Sequence, residues 1–179
     1  SNRVVFYNFS NAGKNSTDKI AGEFDQYKEV IVPTVKFVTN DDVVAAGENI
    51  LSLYGFKNKP SLREDVKINE EIQKIFYSDQ YVGVILKNTN SKFPYRIQVY
   101  DLNGNKKMEK EIKLEYDNVS FSGDNVLMYD DMNCQIISFD GVQKFKVTFN
   151  GAVNAIIPID GSRTFLIMTK SKIQKVKLK

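Results

Sequence analysis

The side chains that could do chemistry here are carboxylates, lysines, tyrosines and one thiol. Histidine is missing from all 179 residues, which removes the commonest general base and the commonest metal ligand near neutral pH. Neither a Ser-His-Asp nor a Cys-His nucleophile can be assembled. The sequence carries no glycine-rich phosphate loop, dinucleotide fingerprint or histidine-based zinc motif. Paired carboxylates at Asp41-Asp42, Glu70-Glu71 and Asp130-Asp131, with Asp124 and Asp160, could act as acid and base or hold calcium. Neighbours on a strand point to opposite faces, however, so adjacent acids make a poor catalytic pair. Most of them stand in turn-like surroundings, where Asp is favoured for bonding to its own backbone. Asp101-Leu102-Asn103-Gly104-Asn105 has alternating oxygen ligands and a glycine. It lacks a bidentate Glu at calcium-loop spacing, and a hairpin turn is the stronger reading. No metal or cofactor site is assigned.

Five lysines fall between Lys170 and Lys179, with Lys175, Lys177 and Lys179 alternating onto one face of a predicted strand. They could meet an anionic polymer or lipid headgroups. They could equally guard an exposed sheet edge against stray pairing, which is the favoured reading. Cys134, alone in an apolar run, reads as a small hydrophobe and permits no intrachain disulfide. Phe37, Tyr54, Phe76, Tyr77, Tyr100, Phe121, Tyr129 and Phe139 read as packing aromatics rather than a ligand groove. Asn-x-Ser/Thr triplets occur at Asn8, Asn15 and Asn118 and carry little meaning outside a eukaryotic secretory setting.

The elements that must position these groups are short β-strands. Tyr95–Tyr100, the turn Asp101-Leu102-Asn103-Gly104 and Lys106–Leu114 form one hairpin. Further runs end at Phe121, return over Val126–Tyr129, and repeat as Cys134–Phe139, Asp140-Gly141 and Phe145–Phe149. Short β-rich runs bounded by Asn, Asp or Gly predict hairpins. Residues closing successive first strands are Phe37, Phe76, Phe121 and Ile157, spaced by 39, 45 and 36. Those closing third strands are Tyr54, Tyr100, Phe139 and Val176, spaced by 46, 39 and 37. Both sets lie near the repeat of a four-stranded propeller blade. The expected fold is therefore all-β and propeller-like, with about four consecutive four-stranded antiparallel blades in an incomplete ring. The expected divisions are 30–70, 71–115, 116–150 and an incomplete 151–179. Residues 1–29 are read as outer strands of a preceding or closing blade, since Phe6-Tyr7-Asn8-Phe9 is similar to Val99-Tyr100-Asp101-Leu102. Asp25–Glu29 reads as a polar patch, and the fourth module's first strand as ending at Ile157 before Pro158.

Hydrophobic residues at 42% and charged residues at 26% suit a folded domain. A net charge of +3 from 25 basic and 22 acidic residues is too balanced for a nucleic-acid binder. No run is apolar for long enough to cross a bilayer, and Ser1-Asn2-Arg3 opens no signal peptide. The expectation is that any anchor lies outside these residues.

Val4–Asn11, Val32–Phe37, Ile75–Ser78 and Cys134–Phe139 resemble an uncharacterised family of Gram-positive bacterial proteins. That family is classed as a domain of unknown function with propeller-like, quinoprotein-like or WD40-like repeats. The resemblance implies one N-terminal membrane helix followed by an extracytoplasmic β domain, of which this chain would be the C-terminal part. It transfers no functional residue. The expected function is a non-catalytic interaction or scaffold domain with a protein or cell-envelope polymer as partner. A homodimer through open blade faces is a further expectation. A quinone-cofactor enzyme is the alternative by fold analogy, without a Trp to stack on the cofactor.

Overall fold

A computed structural model describes residues 2–8, 20–27, 31–32, 34–57, 59–89, 92–113, 116–160 and 163–177. Every regular element among them is a strand. β1 (Val4–Tyr7) and β2 (Ile20–Phe24) form a two-stranded leading sheet. The first blade is β3 (Thr34–Phe37), β4 (Asp42–Ala46), β5 (Ile50–Gly55) and β6 (Ser61–Lys67). The second is β7 (Ile72–Tyr77), β8 (Tyr81–Lys87), β9 (Tyr95–Asp101) and β10 (Lys106–Ile112). β11 (Asn118–Phe121), β12 (Asn125–Tyr129), β13 (Asn133–Ser138) and β14 (Gln143–Thr148) make the third. The last sheet has three strands, β15 (Val153–Asp160), β16 (Thr164–Thr169) and β17 (Ile173–Lys177). All pairings are antiparallel between sequence neighbours, so the chain is an all-β arc of propeller-type blades.

Turn chemistry makes the hairpins. Gly104 and Gly141 have φ of 85° and 80°, a region that L side chains rarely occupy. Their amides donate to Asp101 O and Ser138 O at 3.0 and 2.8 Å. The Asp101 carboxylate accepts from the Asn103 and Asn105 amides, and Asp140 accepts from the Val142 amide. These are the local backbone bonds that favour Asp in turns.

One irregularity recurs. The pairing of third with fourth strand shifts register at Leu53/Tyr54, at Val99/Tyr100 and at Ile136/Ile137. β1 and β2 shift at Phe6/Tyr7. The leading pair thus repeats the bulge and apolar-x-apolar pattern of a third and fourth strand.

Blade faces stack on one another. Val44, Leu51 and Leu53 of the first blade pack on Val82, Val84 and Tyr100 of the second. Ile97, Val99 and Met108 pack on Val126, Met128 and Ile137 of the third, while Ile136 and Cys134 meet Phe165 and Ile167 of the last. Val4 and Phe6 cover Val43, Ala45 and Tyr54. Gly83 is required within the second blade, because a Cβ there would stand 2.1 Å from the ring of Phe76, its cross-strand partner. Main-chain bonds also lock successive blades. Ile72 N donates to Glu48 O at 3.0 Å and Val153 N to Asp131 O at 2.8 Å. Within blades, Ile68 N donates to Asn49 O and Phe149 N to Met132 O.

Two sequence expectations need correction. β15 runs through Pro158 to Asp160; it is an edge strand with a register shift beside Pro158, the setting in which a strand tolerates a residue without an N–H. Tyr27 does not belong to a polar patch; it is fully buried, its ring in the core with Phe6 and Tyr54.

Candidate functional site

In each blade the turn between second and third strands and the linker to the next blade lie at the same end. Two clefts open there. One, of about 510 Å³, is lined by Glu48 from the first blade's turn, by Glu70 and Glu71 from the following linker, and by Lys74 of β7. The other, of about 560 Å³, is lined by the linker Asn150-Gly151-Ala152 and by Lys170 and Lys172 from the last blade's turn. The equivalent turns between second and third strands thus present opposite charge, Glu48 in the first blade and Lys170 and Lys172 in the last.

The first cleft is firmly framed. Arg96 Nη1 of β9 pairs with Glu70 at 2.6 Å and lies 3.7 Å from Glu109, while its Nη2 is 3.6 Å from Glu111. Lys74 Nζ donates to the carbonyls of Tyr116 and Asp117 at 2.9 and 3.0 Å. Glu48 and Glu71 remain exposed on the rim. Where the residues after β2 meet the first blade sits a polar network. Tyr27 and Tyr54 hydroxyls share a 2.7 Å hydrogen bond, Gln26 Nε2 donates to the Tyr54 hydroxyl at 2.8 Å, and Ser52 donates to Asp65 at 2.5 Å. Burial drives the Tyr54 phenol upward, reinforced by Tyr27. Burial, with Glu109 and Glu70 near, pushes Tyr100 up to about 12. Phenols held this firmly protonated are structural donors, not bases.

The carboxylates named from sequence do not converge. Asp42 pairs with Arg63 at 2.5 Å, and Asp124 accepts from the Tyr81 hydroxyl at 2.9 Å. Asp130 accepts from the Met132 and Asn133 amides. Burial pushes Asp130 up, but these donors outweigh it and hold the carboxyl below its ordinary range. Asp101 behaves likewise, with Asn105, Lys107 and the Asn103 amide as donors. Among the described residues no three His, Cys, Asp or Glu side chains gather as a metal would require. Cys134 is buried, which pushes its thiol up to about 12; a thiol held neutral is a poor nucleophile.

Lys175 and Lys177 are exposed on β17, the edge strand of the last sheet, and Lys179 lies outside the described residues. The register gives Lys175 a further meaning. Each hairpin of second and third strands begins at the turn-distal pairs Asp42↔Gly55, Tyr81↔Asp101, Asn125↔Ser138 and Thr164↔Lys177. Two residues before these third-strand members stand Leu53, Val99, Ile136 and Lys175. The first three are at most 2% exposed. Sequence alternation marks Lys175 as an edge lysine but cannot reveal that it stands in a core position. Gln26 and Tyr27 were also missed; for Tyr27 the signal is an aromatic just beyond a strand in the fourth-strand place, as at Tyr116.

The family of unknown function DUF5711 matches residues 1–178, and the chain belongs to it. No curated protein matches. Among solved structures the chain is similar to BamB from Moraxella catarrhalis, with 15% identity, TM-score 0.56, 83% of this chain and 49% of that one. It is similar to Hsv2 from Kluyvelomyces marxianus at 11% identity, TM-score 0.57, 91% of this chain and 51% of that one. A third is BBS1N in complex with ARL6DN, at 9% identity, TM-score 0.56, 90% of this chain and 56% of that one. At such identities the likeness is one of fold. The chain spans about half the length of these structures.

Proposed function

We propose that this member of the DUF5711 family is a non-catalytic interaction scaffold, whose blades hold the two oppositely charged clefts at one end for a protein partner. The observation that carries this reading is the clefts' construction. Their rims come from turns and linkers that main-chain bonds fix between blades, and rigid elements presenting charged loops suit recognition. A structurally similar propeller-type chain, BBS1N, was solved in complex with ARL6DN, and association through such a framework is the property carried over here. The resemblance in sequence supports an extracytoplasmic setting with an anchor outside these residues. No helix among the described residues is long and apolar enough to cross a membrane.

The test is charge reversal at the clefts in cells that make the protein. Glu48→Lys with Glu71→Lys, and Lys170→Glu with Lys172→Glu, are expected to abolish crosslinking to partners. Reversal at Asp79 and Asp140, in turns at the opposite end, should leave it intact. Turnover of any substrate that vanishes on neutralising one carboxylate would overturn the proposal. A second reading, binding of an anionic cell-envelope polymer, is favoured by the exposed Lys175 and Lys177. It requires binding that falls with salt.

A further inference from the structure

We infer that the protein met by the charged end is a second copy of this chain, docked rim to rim about a twofold axis that crosses the end between the second and third blades. This rests on the scaffold reading above and names its partner.

The turns between second and third strands supply the pattern. Glu48 stands in that turn of the first blade, Lys87 leads into it in the second, Asp131 stands in it in the third, and Lys170 and Lys172 stand in it in the last. All five side chains are exposed, and none makes an ion pair with another described residue. The signs therefore alternate along the arc: negative, positive, negative, positive. A twofold axis reverses the order of the blades, so the first faces the last of the second copy and the second faces its third. Every turn then meets the opposite sign. An axis through the second blade would instead set Glu48 against Asp131 and Lys87 against its own copy. One through the third would set Lys87 against Lys170 and Asp131 against its own copy. Like charges at a contact are costly, so the pattern selects one register.

The first cleft suits the other copy's lysines. The cations that frame it are already engaged. Arg96 pairs with Glu70 at 2.6 Å, and Lys74 Nζ donates to the carbonyls of Tyr116 and Asp117 at 2.9 and 3.0 Å. Glu48 and Glu71 stay exposed at the mouth of its roughly 510 Å³, where carboxylates can accept charge-assisted hydrogen bonds from Lys170 and Lys172 of the second copy. The twofold makes this contact twice.

Near the axis the contact has an apolar part. Met132, beside Asp131, is 40% exposed. Across the axis would stand Phe93 of the second copy, half-buried in its own loop, with Lys92 and Lys113 Nζ each 5.6 Å from the ring centroid. A thioether against an aromatic ring, bordered by Asp131 and these lysines, gives the apolar centre and polar rim of a protein interface.

The test is sedimentation of the full chain over a range of concentration and salt. Expected is a reversible monomer–dimer equilibrium that shifts towards monomer as salt rises, because exposed charges are screened. Glu48→Lys with Glu71→Lys sets lysines against lysines at both contacts, and Lys170→Glu with Lys172→Glu sets carboxylates against carboxylates. Each pair should weaken the dimer by roughly tenfold or more, with unchanged circular dichroism, because all four residues are exposed. Mixed one to one, the two variants should form a heterodimer as tight as the parent. A chain carrying all four reversals should again pair with itself. A monomer at every concentration in low salt overturns the inference. So does a dimer unmoved by either reversal, a mixture that stays monomeric, or growth beyond the dimer. A monomeric chain whose crosslinking to another protein in cells still needs the clefts overturns this inference alone and leaves the scaffold reading standing.

Discussion

The described residues end on two sheets, a leading one and a trailing one, and their outer faces are built differently. At the leading edge Tyr7, Val35 and Phe37 stand exposed in positions whose counterparts are packed or half-packed between blades. At the trailing edge Lys175 replaces Leu53, Val99 and Ile136, and Lys177 stands beside it on the same strand. An apolar residue left in water asks for cover, whereas a lysine in a core register forbids an apolar neighbour. The same place in a repeat is thus core in one blade and surface in another, and the residue type reports which.

The sharpest way to break this contrast is to move the lysine inward. Val99→Lys or Leu53→Lys should destabilise by about 3–5 kcal/mol, since an ammonium would be buried without a partner. The reverse exchange, Lys175→Val, should shift stability by no more than about 0.5 kcal/mol and promote self-association, both read by urea unfolding and sedimentation. If Val99→Lys unfolds no earlier than the parent, the core assignment fails. Next in size, Tyr54→Ala should cost about 3–5 kcal/mol and Tyr7→Ala less than about 1 kcal/mol. Tyr54→Phe, which strands the Tyr27 and Gln26 partners, should cost about 1–2 kcal/mol.

The pH dependence separates turns from interfaces. Asp101, Asp130 and Asp140 have carboxyls lowered in the folded state. Their stabilisation is fully present above the unfolded value of about 3.9 and is lost as pH falls through the folded values. Asp101→Ala and Asp130→Ala should flatten the acid limb of the stability curve. Tyr54 and Tyr100 are raised. Their contribution is intact below the unfolded value of about 10 and is lost as pH rises towards about 12. Tyr100→Phe should flatten that limb and leave the acid one alone. The smallest effect belongs to the trailing edge. Lys175→Glu with Lys177→Glu should change stability by under about 0.5 kcal/mol, while lowering any retention on a polyanionic resin by several-fold.

Strands and turns were legible because alternation and Asn, Asp and Gly act locally. The hairpin at Asp101–Gly104 needs nothing beyond its own residues, and it formed as expected. The β-propeller arc followed from two sets of landmarks spaced like blades, and the bulge repeated at β1–β2 extends that similarity to the leading pair. The buried state of Tyr27 could not be read, because its neighbours Asp25, Gln26 and Lys28 are polar and its partner Tyr54 lies 27 residues away. The clefts were equally hidden, since each joins a turn to a linker some twenty residues apart in sequence. Lys175 was found for its charge and alternation. Its equivalence to Val99 required the pairing register, which bulges offset from simple counting.

The amide bonds from Ile72 to Glu48 and from Val153 to Asp131 bear on inheritance. They use only main-chain atoms, so they do not depend on which side chains stand at the turns. A lineage could rewrite Glu48, Asp131 or the neighbouring rim residues one at a time while these two bonds still tied the first blade to the second and the third to the last. Recognition would then drift freely over a frame held constant, and relatives with little sequence in common at the rim would still share its geometry.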